Sequence, residues 1–300
     1  GGFLIAAAID KYVYVTVMRP FVEGIFLKYS QLEHVERAED VHHPIIREAI
    51  KILGFRTPQI EITTLADIPA GTGLGSSGSF TTALVKALYA HRRRLLHANE
   101  LAALACDIEI DRLKEPVGKQ DQYIAAYGGV TCFRFETDGR VDAHPVQMPV
   151  DALFTLEDSL LLFFTGFSRS AGAILADQQM RTEHGDAEML ANLHYVKELG
   201  ERSYQALMTG DTALFGELMH EHWEHKRKRS KGMSNPQIDE WYDLGRRSGA
   251  IGGKLVGAGG GGFLLFYSED HRRLRAAMAH AGLEEVRFRF DFEGTKVLFS

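Results

Sequence analysis

Apolar stretches of two kinds predict β-strands along the chain. Residues 60–64 alternate apolar with polar side chains, which is typical of a strand with one buried face. Residues 12–17 are rich in β-branched and aromatic side chains, and residues 160–164 form a short apolar run of the kind found in buried strands. Further strands are predicted at residues 264–266, 286–288 and 295–297.

Helices are predicted where apolar residues recur every three or four positions. One helix follows residue 79, with an apolar face formed by Phe80, Ala83, Leu84, Ala87 and Leu88. A second helix starts at Asn99 and has the apolar face Leu101, Leu104, Ala105 and Ile108. Other helices are predicted from His43-Pro44 to Gly54, over residues 171–207, through 241–247 and over 272–281.

Length and composition limit the class of protein. The chain has 300 residues, enough for two modest domains, and its composition shifts near residue 150, so we predict domains at 1–150 and 151–300. Apolar residues make up 45% and charged residues 25%, as in ordinary globular proteins. The net charge of −6 argues against a nucleic-acid partner, and no apolar run is long enough to cross a membrane.

The cysteines and the start of the chain add two expectations. Cys106 and Cys132 lack metal-ligand spacing and suit a reducing compartment, so we expect a cytoplasmic enzyme. The chain opens at Gly1 without a methionine and runs straight into an apolar strand, so we expect that an upstream segment is missing. The sequence predicts no oligomeric state.

Residues 69–79, Pro-Ala-Gly-Thr-Gly-Leu-Gly-Ser-Ser-Gly-Ser, form a glycine loop between a predicted strand and a predicted helix. Glycine permits positive φ and a close approach of the backbone to a ligand. The free amides and the dipole at the start of the following helix favour an anion. We therefore predict a phosphate-binding loop, with a tight, hydroxyl-rich turn as the structural alternative.

Two common phosphate loops do not fit these residues. Gly73–Gly78 matches Gly-x-Gly-x-x-Gly, but a second helix from Asn99 stands where a dinucleotide-binding unit needs a strand. A Walker A loop needs Gly-Lys-Ser/Thr, whereas Gly78 is followed by Ser79 and Phe80.

A second cluster, residues 115–123, contains Asp121 in a Gly-x-x-Asp-Gln turn predicted between helices. Such a turn can project a carboxylate into a cleft, although a turn-capping aspartate is the alternative. Lys119 either touches a phosphate, lowers the pKa of Asp121, or is a surface lysine. Glu109, twelve residues before Asp121, competes with Asp107 and Asp111 as a functional carboxylate, and the alternative is a solvated helix residue.

Further candidates lie in the second half of the chain. Arg169 follows a strand and either grips an anionic group or caps a helix. The histidines of residues 220–225 do not follow a zinc motif, and the basic run 226–229 is interpreted as a charged helix surface, with Lys226 as the one candidate active-site cation. Residues 252–263 form a glycine cluster between a helix and a strand, too regular in context for a linker.

Two of these segments resemble signatures of the GHMP small-molecule kinases. Residues 69–77 fit Pro-x-x-x-Gly-Leu-Gly-Ser-Ser, and residues 254–262 fit Lys-x-x-Gly-Ala-Gly-x-Gly-Gly. The resemblance implies an α+β fold of two domains, the first like ribosomal protein S5 and the second ferredoxin-like. It also implies a kinase that uses ATP and Mg²⁺. The first signature of the family has no match in this chain.

The resemblance also implies roles for individual residues. Ser77 and Glu109 match the magnesium ligands, and Asp121 matches the proposed catalytic base of galactokinase. The ATP phosphates are expected at Pro69, Gly71, Gly73, Leu74, Gly75, Ser76, Ser77, Gly78 and Ser79, supported by Gly259 and Gly260 from the second domain.

Residues 117–123, 165–171, 233–239 and 252–263 look like those of D-glycero-D-manno-heptose 7-phosphate kinases, which phosphorylate the anomeric hydroxyl of a sugar phosphate to give the 1,7-bisphosphate. The substrate candidates are then Asp10, Lys119, Arg169 and Lys226, although Asp10 is equally interpreted as a polar residue at a strand edge. The alternatives are a fucose or galactose kinase, and a sugar and ATP sensor without turnover.

Overall fold

The computed structural model describes residues 1–54, 59–167, 172–229 and 232–299. Its strands are β1 (Gly2–Ala7), β2 (Val13–Met18), β3 (Gly24–Lys28), β4 (Leu32–Val35), β5 (Gln59–Ala66), β6 (Val130–Phe135), β7 (Val141–Pro145), β8 (Leu160–Phe164), β9 (Ala250–Leu255), β10 (Phe263–Ser268) and β11 (Glu284–Glu285). Its helices are α1 (Pro44–Ile52), α2 (Ser76–His91), α3 (Ala98–Cys106), α4 (Gln120–Tyr127), α5 (Val150–Ser159), α6 (Gly172–Glu183), α7 (Ala187–Thr209), α8 (Thr212–Lys226), α9 (Pro236–Arg247) and α10 (His271–His280). A short 3₁₀ turn covers Ala38–Asp40, and a π-helix continues α3 over Asp107–Arg112.

The chain divides into two compact units. Unit one comprises Gly1–Ala7, Gly71–Leu74 and Val130–Phe290, and unit two comprises Ala8–Ala70, Gly75–Gly129 and Asp291–Ser300. Residues 130–150 therefore belong to the unit that holds most of the second half of the chain. The domain boundary near residue 150 stays a prediction.

Unit one contains two antiparallel sheets. One has the strand order β1-β6-β7, and the other has the order β11-β8-β10-β9. Helices α8 and α9 pack against β9. The core beneath them is aromatic and fully buried, and it includes Trp223, Tyr242, Phe163 and Phe266.

Helix α8 approaches strand β9 unusually closely, because both contribute glycine at the contact. A Cβ on Gly252 would collide with the carbonyl oxygen of Gly216, and a Cβ on Gly216 would lie 2.6 Å from the ring of Tyr267. The C-terminal turn of α8 is thereby held against the outgoing end of β9, so that Lys226 and Lys254 come from packed elements.

Unit two is built on a mixed sheet of order β2-β5-β3-β4, in which β5 runs antiparallel to β2 and parallel to β3. The predicted alternation in β5 is present, because Ile60 and Ile62 are fully buried. Helix α2 packs on β2 and also against α3 and α4. Helix α1 starts where His43-Pro44 predicts, with Pro44 in its first turn and the His43 ring accepting the amide of Ile46.

Three local predictions are wrong. Residues 286–288 and 295–297 are not strands: the amide of Val286 bonds to the carbonyl of Leu162, and the amide of Thr295 bonds to that of Ala125. Each of these two backbone amides donates one isolated hydrogen bond and is not part of the hydrogen-bond ladder of a sheet. The helical region 171–207 is two helices, because Gly185 adopts a left-handed conformation and Asp186 caps α7 by accepting the amide of Met189.

Candidate active site

The second half of the glycine loop forms the start of α2 in unit two. Gly75 is the N-cap residue with φ of +72°, and α2 begins at Ser76. A Cβ on Gly78 would lie 2.9 Å from the backbone of Asp121 and Gln122, and one on Gly75 would lie 3.2 Å from the carboxyl carbon of Asp121. Both glycines therefore let the start of α4 pack against the start of α2, whose free amides and dipole favour an anion.

Asp121 is the second residue of α4 rather than part of a turn between helices, which corrects the local prediction. Burial of its carboxyl group, reinforced by the nearby charge of Glu109, raises the pKa of Asp121 to about 6, against a hydrogen bond from Gln120 that lowers it. A carboxylate with such a pKa is ionised at neutral pH and is a stronger proton acceptor than an ordinary aspartate. The exposed Lys119 is not among the groups that shift this pKa.

Glu109 lies inside unit two, with only 2% of its surface exposed. It stands in the π-helix, whose neighbours Asp107 and Asp111 face outward; Asp107 pairs with Arg112 at 2.7 Å. The interpretation of Glu109 as a solvated helix residue is therefore wrong, and the wider π turn selects it from three acidic residues of similar spacing.

The carboxylate of Glu109 is bound on both oxygens by neutral donors. The Ser77 hydroxyl donates to Oε2 at 2.5 Å, and the Gln122 amide donates to Oε1 at 3.0 Å. The carbonyl oxygen of the Gln122 side chain is buried and lacks a hydrogen-bond partner in the described part of the chain. Sequence reasoning missed Gln122, although it directly follows Asp121.

These oxygens fit a magnesium ion. Mg²⁺ prefers hard oxygen ligands and usually takes only one or two from the protein, leaving the others to phosphate and water. A hydroxyl and a carboxylate in direct contact, beside an unsatisfied amide oxygen, provide that donor set. Within the described residues, no three or more His, Cys, Asp or Glu side chains group together in a way that could hold a metal ion.

The first half of the glycine loop lies in unit one, against the glycine cluster of residues 252–263. A Cβ on Gly73 would lie 3.1 Å from the carbonyl oxygen of Val256, and one on Gly257 would lie 2.7 Å from the Cα of Gly73. The amide of Gly260 donates to the carbonyl of Met233 at 2.9 Å, so this amide is not free for a phosphate. Gly259 also packs against Met233, where a side chain would not fit.

The predicted substrate residues have different environments. Asp10 is half-buried and pairs with Lys11 at 3.3 Å, and Lys119 is exposed. Arg169 lies outside the described residues. Lys226 is only 9% exposed and donates to the carbonyl oxygens of Leu255 and Gly257 at 3.3 and 2.5 Å. Lys226, the member of residues 226–229 that the sequence analysis sets apart as a candidate cation, is buried because the end of α8 packs on β9.

Family models match both halves of the chain. Residues 43–129 match the GHMP kinases N terminal domain, and residues 203–283 match the GHMP kinases C terminal domain. The chain belongs to the GHMP kinases. The predicted α+β fold and the predicted class of kinase are thereby confirmed.

Individual GHMP kinases are similar over most of this chain. The D-glycero-α-D-manno-heptose 7-phosphate kinase of Campylobacter jejuni is 26% identical over 98% of the chain and 90% of its own length. The crystal structure of a D-glycero-D-manno-heptose 1-phosphate kinase from Bacteroides thetaiotaomicron has a TM-score of 0.78 at 25% identity, and the match covers the whole chain and 92% of that structure. The L-fucokinase/L-fucose-1-P guanylyltransferase of Bacteroides fragilis is 30% identical over 77% of the chain, which spans about a quarter of that protein (24%).

Within the described ranges, no helix combines the length and the apolarity needed to cross a membrane.

Proposed function

We propose that this GHMP kinase uses ATP and Mg²⁺ to phosphorylate the anomeric hydroxyl of a D-glycero-D-manno-heptose 7-phosphate. The observation that carries the proposal is the packing of Asp121, whose pKa is raised, against the N-terminal turn of α2. Ser77, which contacts Glu109, belongs to the same turn. The similarity to the Campylobacter heptose 7-phosphate kinase along almost the whole chain supports this acceptor.

The phosphates of ATP are assigned to the glycine loop. The amides at the start of α2 point out of the helix without intrahelical partners, and the helix dipole adds a partial positive charge. Ser79 adds a hydroxyl donor at this end, whereas the hydroxyls of Ser76 and Ser77 donate to the Pro69 carbonyl and to Glu109. Phosphoryl transfer needs little covalent help beyond such positioning and neutralisation of charge.

Asp121 is the proposed base. The anomeric oxygen forms a bond to the γ-phosphorus while the bond from that phosphorus to the β–γ bridging oxygen breaks, and the hydroxyl proton passes to the carboxylate of Asp121. The products are the 1,7-bisphosphate and ADP. Burial raises the pKa of Asp121 to about 6, so the residue remains ionised at neutral pH and still accepts a proton readily.

Ser77 and Glu109 are the proposed ligands of the magnesium ion, which supplies neutralisation of the phosphate charge when it is bound. The Gln122 amide orients the Glu109 carboxylate by its bond to Oε1. Asp10, Lys119, Arg169 and Lys226 remain proposed contacts to the sugar phosphate.

A fucose kinase is the second candidate, because the Bacteroides fucokinase is 30% identical over 77% of this chain. A panel assay separates the two: ADP release is measured with ATP and Mg²⁺ against heptose 7-phosphate, unphosphorylated heptose, fucose, galactose and mevalonate. We expect selective turnover of heptose 7-phosphate. Selective turnover of fucose would keep the mechanism and replace the acceptor, and silence across the panel would favour the sensor without turnover.

A further inference from the structure

The end of α8 and the outgoing end of β9 bring four basic side chains of unit one together. We call Lys226, Arg229 and Lys254, with the neighbouring neutral imidazole of His222, the cationic cluster. Lys226 and His222 are separated by one turn of α8, Arg229 follows the helix, and Lys254 comes from β9. Positive charges from other members act on His222, on Lys226 and on Lys254.

The cluster lacks acidic partners. Across the described ranges, no Asp or Glu lies within ion-pair distance of Lys226, Arg229 or Lys254. Neighbouring Arg227 shows the contrast, since it pairs with Glu224 at 2.7 Å and with Asp239 at 3.8 Å. Unpaired buried charges are costly, so protein cations placed together without an acid indicate that the counter-ion comes from a ligand.

Burial lowers the pKa of all four members of the cluster, and repulsion from other members lowers it further for His222, Lys226 and Lys254. Burial, followed by the charge of Arg229, lowers the pKa of Lys254 to about 8. Burial, with Lys254 and Arg229, lowers the pKa of Lys226 well below its usual range, and the pKa of His222 falls to about 2. The side chain of Lys254 is nevertheless partly accessible, which is the environment of a recessed site rather than of a closed core.

The guanidinium group of Arg229 is held in one orientation. Its Nε donates to the Asn192 side chain at 3.0 Å, and its backbone carbonyl accepts a bond of 2.7 Å from Arg181. Its Nη2 is buried and has no hydrogen-bond partner among the residues that the structure describes. A fixed donor without an acceptor is an independent indication of an anionic ligand.

Lys226 connects the cluster to the glycine cluster of residues 252–263. It is nine-tenths buried, and its bonds to the carbonyl oxygens of Leu255 and Gly257 fix the start of that segment. When Lys226 is protonated, its ammonium group has three donors, so these two bonds leave one for an anionic ligand, whose charge favours that protonated form.

We propose that the cationic cluster binds the phosphate monoester of the sugar phosphate acceptor, so that Lys254 and Arg229 select phosphorylated over unphosphorylated sugars. This inference rests on the proposed sugar-phosphate kinase function. A phosphate monoester carries close to two negative charges at neutral pH and several acceptor oxygens, which matches two or more cations with free donors. The planar fork of Arg229 suits two oxygens of one phosphate, and Lys254 supplies a point charge.

Direct binding is tested first, with inorganic phosphate as the probe and the full chain without nucleotide. Calorimetric titration is expected to show phosphate binding to the wild type and binding about ten- to a hundredfold weaker to Lys254→Met and to Arg229→Met. Lys228→Met, which removes an exposed lysine one residue before Arg229, is the matched control and should bind as the wild type does. Absence of phosphate binding to the wild type, or equal affinity in all variants, overturns the proposal.

Kinetics test which phosphate occupies the cluster. The ratio of kcat/KM for heptose 7-phosphate to that for unphosphorylated heptose should fall at least tenfold in Lys254→Met and in Arg229→Met, while the dissociation constant of ATP changes less than threefold. If kcat/KM falls equally for both sugars, the cluster acts on the reacting groups and the proposal is overturned. If the affinity for ATP falls to the same extent, the cluster binds the nucleotide and the proposal is again overturned.

The two levels of inference fail in different ways. If the wild type turns over none of the sugars, the proposed function fails, and the phosphate titration still decides whether the cluster is an anion site. If heptose 7-phosphate is the preferred acceptor and neither variant changes the ratio, the cluster proposal fails and the proposed function stands.

Discussion

The two buried charged centres of this protein differ in how their charge is balanced. In unit two, the Glu109 carboxylate accepts hydrogen bonds from the Ser77 hydroxyl and the Gln122 amide. In unit one, Lys254 and Arg229 have no acid beside them within the described residues, and Nη2 of Arg229 lacks any acceptor. One centre is satisfied by neutral donors of the protein, and the other lacks a counter-ion.

The difference teaches which part of a site depends on its ligand for stability. Two hydrogen bonds to a buried carboxylate replace much of the solvation free energy that the group lost on leaving water. Cations that repel one another and lack acceptors pay for burial without such compensation. We therefore expect changes at the carboxylate centre to alter catalysis, and changes at the cationic cluster to alter both acceptor selection and stability.

The largest expected effect is that of Asp121→Asn, which removes the proposed base beside the carboxylate centre. The amide cannot take the hydroxyl proton, so kcat should fall by about two to four orders of magnitude, with ATP affinity retained. Steady-state assays and ATP titration measure both quantities. Asp111→Asn, at an exposed carboxylate of the π-helix, is the control, and unchanged turnover in Asp121→Asn would contradict the role of base.

The next effect is that of Glu109→Gln, which removes the charge of the buried centre and keeps its shape. We expect kcat/KM to fall by roughly a hundredfold and the Mg²⁺ concentration for half-maximal activity to rise, because a neutral amide oxygen is a weaker ligand for Mg²⁺. Activity is measured across a magnesium titration. Asp107→Asn breaks only the exposed pair with Arg112 and should change neither quantity more than threefold; an unaltered titration in Glu109→Gln excludes Glu109 as a ligand.

A smaller effect is expected from pH. The base must be ionised, and the pKa of Asp121 is about 6, so kcat/KM should be constant above pH 7 and fall about tenfold per pH unit below 6. A pH–rate profile from 5 to 8.5 with heptose 7-phosphate measures this. The acceptor phosphate titrates in the same range, so the profile is repeated with unphosphorylated heptose. A profile that stays flat down to pH 5 with both acceptors would show that Asp121 has an ordinary pKa.

The smallest effect is a gain of stability in Lys254→Met without phosphate. The pKa of Lys254 is lowered from 10.5 in the unfolded chain to about 8 in the folded protein. Folding therefore disfavours the charged form, and this cost to stability is fully present below pH 8. Removing the charge should raise Tm by about 2–4 °C at pH 7, which corresponds to about 1 kcal/mol in the free energy of unfolding. The gain in Tm should become smaller as pH rises from 8 towards 10.5. Added phosphate should reduce the difference in Tm between the variant and the wild type at pH 7.

Thermal unfolding of the wild type, Lys254→Met and the exposed control Lys228→Met measures these shifts. A Tm of Lys254→Met below that of the wild type in phosphate-free buffer would show that Lys254 is a structural residue.

Much of the carboxylate centre could be predicted from the sequence, because its parts lie in short motifs. Ser77 belongs to the glycine loop, and its environment follows from a strand, a tight turn and a helix in succession. The resemblance to the GHMP kinases selects Glu109, whose spacing from Asp121 matches the family's magnesium ligand, and the structure adds the π-helix that turns it inward. The partner Gln122 could not be found by motif, since its contact with Glu109 depends on how α3 and α4 pack.

The cationic cluster shows the opposite case. A basic run at residues 226–229 predicts a solvated surface. Lys226 is buried because α8 packs along β9, with Gly216 against Gly252 and Lys226 bonded to the carbonyl oxygens of Leu255 and Gly257. Lys254 follows Arg229 by 25 residues in the chain, so no local pattern joins the two. Burial of a charge is a property of packing rather than of spacing.

The sequence by itself determined most of the elements with regular periods, the glycine loop between β5 and α2 and the family, because backbone geometry and short motifs are local. Tertiary structure decided which charges are buried and what faces them: Glu109 rather than Asp107, and Lys226 rather than Lys228. The physical reason is that the free energy of a charge depends on its surroundings in space, which residues distant in the chain provide.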